Sequence, residues 1–196
     1  MRAWLLLVGL TLAVIGPKAA WAHPHVFIDN RLTFLYAGGE LTGFRTDWRF
    51  DEIFTADLLA QYDANSDGQF DEAESKQVEE GTLPNLAGFH YFTYAYLDGQ
   101  DLGELVPDSF KADIVSGAVR FVFTYRLPHT VDPRRQKMAV SIYDREYYVE
   151  VLLAEQDPVS REGEGADGCG ADVADDPDHA YYGGFVVPQI VGVRCP

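Results

Sequence analysis

The stretch "VFIDNRLTFLYAGGELTGFRTDWRF", residues 26–50, decides the fold. Val26 and Ile28, then Leu32, Phe34 and Tyr36, stand at alternate positions against Phe27, Asp29, Thr33 and Leu35. Beyond Gly38-Gly39, Phe44, Thr46 and Trp48 alternate with Arg45, Asp47 and Arg49. Successive side chains of a strand point to opposite faces, so a period of two on both sides of a glycine pair predicts two long antiparallel strands.

Working outward, the period changes at once. Residues 51–62 place Phe54, Leu58, Leu59 and Tyr62 at three-and-four spacing without Gly or Pro, which predicts an amphipathic helix. After a polar loop, 71–80 is helix-permissive but poor in apolar residues, and Gly81 and Pro84 are expected to end it. Alternation then returns in His90–Leu97 and Phe110–Val115, and most clearly in Val119, Phe121, Phe123, Tyr125 and Leu127 opposite Arg120, Val122, Thr124 and Arg126. Met138, Val140 and Ile142, a polar turn at 144–146, and Tyr147, Val149 and Val151 continue the pattern. Seven or so strands with one helical interruption predict an α+β fold. It is mainly an antiparallel sheet or sandwich, a β domain over 23–154 with a helix-loop-helix insertion at 51–81. Residues 155–196 form an acidic, glycine-rich tail; 155–182 cannot bury enough apolar surface to order itself unaided, and the apolar run 185–193 is expected to add a last strand. There is no internal repeat.

The first 22 residues read as a secretory signal peptide. Arg2 precedes an apolar run from Trp4 to Ile15, and Ala20-Trp21-Ala22 is a small-residue cleavage pattern. The run is well short of the ~20 residues that span a bilayer, so a periplasmic protein cut after Ala22 is expected, with no membrane insertion of the mature chain. Removing Arg2 and Lys18 takes the formal charge from −16 to −18. Such a surface repels nucleic acid and anionic membrane and attracts cations. Cys169 and Cys195 are expected to form one disulfide, closing a loop worth roughly 3 to 4 kcal/mol in the chain-entropy treatment. Thiolate metal ligation is the weaker reading, since no close CxxC pair exists.

"DANSDGQFDEAE", residues 63–74, meets every defining position of the twelve-residue EF-hand loop. Asp63, Asn65 and Asp67 supply oxygens at positions 1, 3 and 5. Gly68 sits at the sharp turn, Gln69 offers its backbone carbonyl, Asp71 acts directly or through water, and Glu74 closes the site with both carboxylate oxygens. A hard cation taking six to eight oxygens at ~2.3–2.6 Å is the fit, so Ca2+ is the expected cofactor. One hand without a partner favours structural use over sensing.

Cleavage after Ala22 gives His23 a free α-amine beside its imidazole, and His25 lies on the same side of a strand two residues on. Three nitrogens suit Ni2+, Co2+, Zn2+ or Cu2+, and Pro24, lacking an amide hydrogen, disfavours a square site built from backbone nitrogens. Asp29, His90, His129 and His179 are the further candidates, and spacing does not choose among them. His90 also reads as a strand residue among aromatics, His129 as a turn residue and His179 as part of a solvated loop.

The combination of leader, "HPHVFID", "WRFDEIFTADLL", the calcium-type loop, "HYFTY" and "VRFVFTY" resembles a family of small bacterial periplasmic proteins of undefined function. These are often described as the periplasmic component of an uncharacterised ABC-type transport system and occur beside NicO-type nickel/cobalt permeases. The resemblance covers the chain to about Val151 and implies a link to divalent-metal transport, with a membrane metal permease as partner. No nucleophile–base pair or paired-acid motif presents itself, so binding rather than catalysis is expected. The sequence thus points to a metal-binding transport accessory stabilised by calcium. The alternative is a calcium-stabilised structural or interaction module with no transition-metal role.

Overall fold

A computed structural model describes residues 24–196; the leader and His23 lie outside them. The opening stretch forms β1 (Val26–Ala37) and β2 (Glu40–Phe50), paired antiparallel from Ile28 opposite Phe50 to Ala37 opposite Glu40. Phe34, Phe44, Thr46 and Trp48 are all at most 1% exposed, so one face of this hairpin is wholly interior.

The insertion follows as α1 (Glu52–Tyr62) and α2 (Glu72–Ala87). Asp51 starts it: its Oδ1 accepts the Ile53 and Phe54 N–H groups, and its Oδ2 accepts the Phe27 N–H at 2.8 Å. One carboxylate therefore caps the helix and ties it to β1. The remaining strands are β3 (Thr93–Leu97), β4 (Gln100–Asp101), β5 (Ser109–Val115), β6 (Ala118–Val131), β7 (Met138–Ile142), β8 (Val149–Leu153), β9 (Val159–Gly163), β10 (Gly170–Asp175) and β11 (Gln189–Arg194). They make two sheets. The first runs β5-β6-β2-β1-β8, with β9 continuing beside β1; the second runs β10-β11-β7-β3-β4. Pairing is antiparallel except where β8 and β9 run parallel to β1. Leu32, Phe34, Trp48 and Phe123 from the first sheet share one core with Ala95, Met138, Val140 and Val191 from the second. The expected α+β fold, mostly antiparallel with a helix-loop-helix insertion, is the one observed.

Three local expectations are corrected. The second helix does not stop at Gly81 and Pro84 but runs through both to Ala87. A Cβ on Gly81 would meet the Tyr62 hydroxyl at 2.3 Å, so glycine is there to let α1 lie against α2. Pro84, in the last turn, has no N–H for the Glu80 carbonyl, so the helix runs on with one ladder bond missing. Of the strand expected over His90–Leu97, only Thr93–Leu97 is strand; His90, Tyr91 and Phe92 form a left-handed turn with φ of 54°, 51° and 52°. The acidic tail supplies three strands instead of one, because β9 and β10 add to existing sheet edges by backbone pairing.

Candidate functional site

The loop between the helices folds onto its own amides. Asp63 Oδ1 and Oδ2 accept the Asp67 and Gly68 N–H groups at 3.1 and 2.9 Å. Asn65 Oδ1 accepts from Asp67 and Asp67 Oδ1 from Gln69, each at 2.8 Å. Gly68 has φ +74° with open space around it, so the turn itself, not crowding, requires glycine. Phe70 packs against the core beneath. At the far end Asp71 and Glu74 form a capping box. Glu74 Oε1 reaches back to the Ala64 N–H at 2.9 Å and Oε2 takes the Asp71 N–H at 3.0 Å, closing the loop across both ends. Outside the loop, Thr55 Oγ1 accepts the Val119 N–H and Ser75 Oγ donates to the Ala112 carbonyl, fixing both helices to the β5–β6 edge.

Glu74 is only 5% exposed, and among the described residues no Lys or Arg pairs with it. A buried carboxylate without a counter-charge is costly, and two N–H bonds occupy only part of its acceptor capacity. Asp63, Asp67 and Asp71 crowd the same twelve residues. Among the described residues no three His, Cys, Asp or Glu side chains converge tightly enough to hold a metal ion, here or elsewhere. Calcium ligation would therefore draw the Asp63, Asn65, Asp67 and Glu74 oxygens inward from their amides. The donor set is all oxygen and fits a hard cation.

The histidines do not converge, but His90 and His179 border one aromatic patch. The His25 N–H donates to the Tyr148 carbonyl at 2.8 Å, and its exposed ring lies 4.9 Å from that of Tyr148. His90, also exposed, lies 6.0 Å from Tyr94, and His179 lies 4.9 Å from Tyr96. Tyr94, Tyr143, Tyr181 and Tyr147 pack in succession between them. Asp29 stands apart on the first sheet opposite Arg49, and His129 lies within β6 rather than in a turn. Burial foremost, then Tyr143, Asp101 and Asp176, push the Tyr96 hydroxyl far above its ordinary pKa. Arg145 stacks over Tyr94 at 4.6 Å.

Sequence reasoning missed the partner of His179. Buried Asp176 places Oδ2 2.7 Å from Nδ1, which leaves Nε2 outside that bond. The signal was the three-residue spacing in "DPDH", where Pro177 starts a 3-10 turn. Also unread was the ion-pair lattice on the outer face of the first sheet. Arg120 bridges Asp113 at 2.7 Å and Asp47 at 3.2 Å. The Arg120 hydrogen bonds hold the Asp113 carboxyl below its ordinary range, whereas burial pushes Asp47 up against the pull of Arg120 and Arg31.

Cys169 and Cys195 form the expected disulfide, which suits an oxidising compartment outside the cytoplasm. Among the described residues no helix is long and apolar enough to cross a membrane. Fold and loop together define a disulfide-closed, two-sheet β protein carrying a helix-loop-helix insertion. The chain belongs to the DUF1007 family of proteins of unknown function, whose pattern matches residues 8–181. It is 30% identical to an uncharacterised 15.5 kDa protein of Spirochaeta aurantia over 132 residues, 67% of this chain and 93% of that one. An uncharacterised protein of Haemophilus influenzae is 26% identical over 162 residues, 81% of this chain and 74% of that one.

Proposed function

We propose that this chain is an extracytoplasmic metal-binding protein whose Asp63–Glu74 loop takes Ca2+ to brace the helical insertion against the sheets. The observation that carries this reading is the buried, cation-free carboxylate of Glu74, hydrogen-bonded to both ends of an all-oxygen loop. Asp63, Asn65, Asp67 and Glu74 would supply side-chain oxygens and Gln69 its carbonyl. Bound calcium would neutralise the loop's carboxylates. With a dissociation constant of ~0.1–1 mM, as in extracellular modules, 10 mM calcium adds about 1.4 to 2.7 kcal/mol. Calorimetry with and without calcium tests this: a rise in Tm of several degrees is expected for the wild type and none for Glu74→Gln. Equal rises in both would end the proposal.

A second reading adds a transition metal. His23 and His25 would hold Ni2+, Co2+, Zn2+ or Cu2+ for delivery to a membrane permease of the NicO type, in a periplasmic transport system. Its support is that Asp176 orients His179, a further candidate ligand, as carboxylates orient metal-bound imidazoles. Nickel titration of the mature chain checks it: His25→Ala and a chain with one residue added before His23 should both bind more weakly. Unchanged binding in both leaves the chain as a calcium-stabilised structural or interaction module.

A further inference from the structure

The acidity of this chain has one local exception. The ladder between β7 and β11 ends at Ala139 opposite Gly192, yet β11 stays paired with β10 as far as Arg194 opposite Gly170. The two strands therefore part beyond Ala139 and Gly192. Between them opens a groove of about 480 Å3, within the range of ligand sites. Met138 and Val193, both buried, form its apolar floor. Arg134, Arg135 and Lys137 line one wall and Arg194 the other, with Asp172 the one acidic residue among them. Four of the chain's 15 basic residues thus gather at one opening in a protein of net charge −16.

These cations differ from those on the outer face of the first sheet, where Arg120 is locked between two carboxylates. Arg135 and Lys137 have no ion-pair partner among the described residues. Arg134 and Arg194 make only exposed pairs with Asp132 and Asp172, at 3.9 and 3.2 Å, and such pairs are worth little. The disulfide joins Cys195, on the groove wall, to Cys169 just before β10, so the Arg194 side is held in place.

We infer that this groove docks an acidic peptide segment of a partner protein, its carboxylates on the arginines and lysine and its apolar side chains over Ala139 and Val193. Charge complementarity selects the sign. The apolar floor favours a peptide over a bare phosphate, and the surrounding acidity disfavours long polyanions such as nucleic acid. The inference is independent of the metal loop, which lies in the helical insertion.

The test is fluorescence anisotropy of a short labelled peptide alternating glutamate and leucine, titrated with the disulfide-intact protein at low salt. Binding is expected, weakening as salt rises and by at least roughly tenfold in Arg135→Glu with Lys137→Glu. Arg126→Glu, a change on the first sheet, should leave it intact. Arg194→Gln supplies an independent arm should the double variant fail to fold, and is also expected to weaken binding. No binding at low salt, equal weakening by Arg126→Glu, or equal affinity for a glutamine-for-glutamate peptide overturns the inference. Capture of anionic phosphatidylglycerol vesicles in preference to the peptide also overturns it.

Discussion

The space between the sheets and the helical insertion share one apolar cluster but draw on polar contacts to very different degrees. Between the sheets, Trp48 lies 4.5 Å from Phe123 and stacks on Phe92, and the whole cluster is shielded from water. That stability is a property of the chain alone. The insertion adds only Leu58 and Val78 to the fully buried apolar set, with Phe54, Tyr62, Phe70, Leu83 and Leu86 half-buried against it; its other buried residues, Thr55 and Glu74, are polar. Beyond that packing it relies on caps, on two side-chain ties to the sheet edge and on the hydrogen-bonded loop between its helices. If the loop takes calcium as proposed, one domain joins a condition-independent core to an element that answers to cation concentration.

The comparison breaks most sharply at Trp48. Truncating it to alanine should cost about 3 to 5 kcal/mol in denaturant unfolding, by the same amount with and without calcium. A calcium-dependent cost would mean that core and insertion are not separable. Next in size is the calcium increment itself, which Glu74→Gln should abolish at a calcium-free cost of about 1 kcal/mol, since an amide keeps only one of the two oxygens that accept the Ala64 and Asp71 N–H groups; paired thermal scans read both. Asp51→Ala should cost about 1 kcal/mol, because it removes the α1 cap and the tie to β1 together. Hydrogen exchange of the α1 amides should rise while that of β6 does not.

Smallest is Asp113→Asn, about 0.5 kcal/mol after allowing for solvent screening of its partly exposed ion pairs. The Arg120 hydrogen bonds lower the folded-state pKa of Asp113 below its unfolded value near 3.9. Its contribution is therefore complete above that pH and drains away as acid protonates the folded carboxyl. Acid titration of wild type and variant should converge at the low end. Divergence there would place the effect elsewhere in the lattice.

How far the sequence foretold this follows from the same physics. β1, β2 and β6 were legible because one face of each meets the core, which imposes alternation on the residues themselves. β9 and β10 are mostly polar and exposed, joined by backbone pairing and a few polar side-chain contacts, so no periodicity betrays them. The end of α2 was misplaced because contact with Tyr62 overrode the intrinsic tendency of Gly81 to end a helix. The loop was legible since its oxygens are spaced within twelve residues. The Tyr96 contact of His179 crosses more than eighty residues, and the splay that gathers Arg194 with Arg135 is a property of two strand ladders. Neither leaves a local mark.

The placement of β1 also governs the order of events as the chain is made. Thr33 bonds Ser160 across 127 residues, and β8 and β9 are the only elements that cover that flank of β1 among the described residues. A chain emerging amino end first thus holds an open strand edge until most of its length is out. Such long-range parallel closure is slow. Synthesis can then run well ahead of tertiary structure, leaving a threadable polypeptide for whatever machinery receives it.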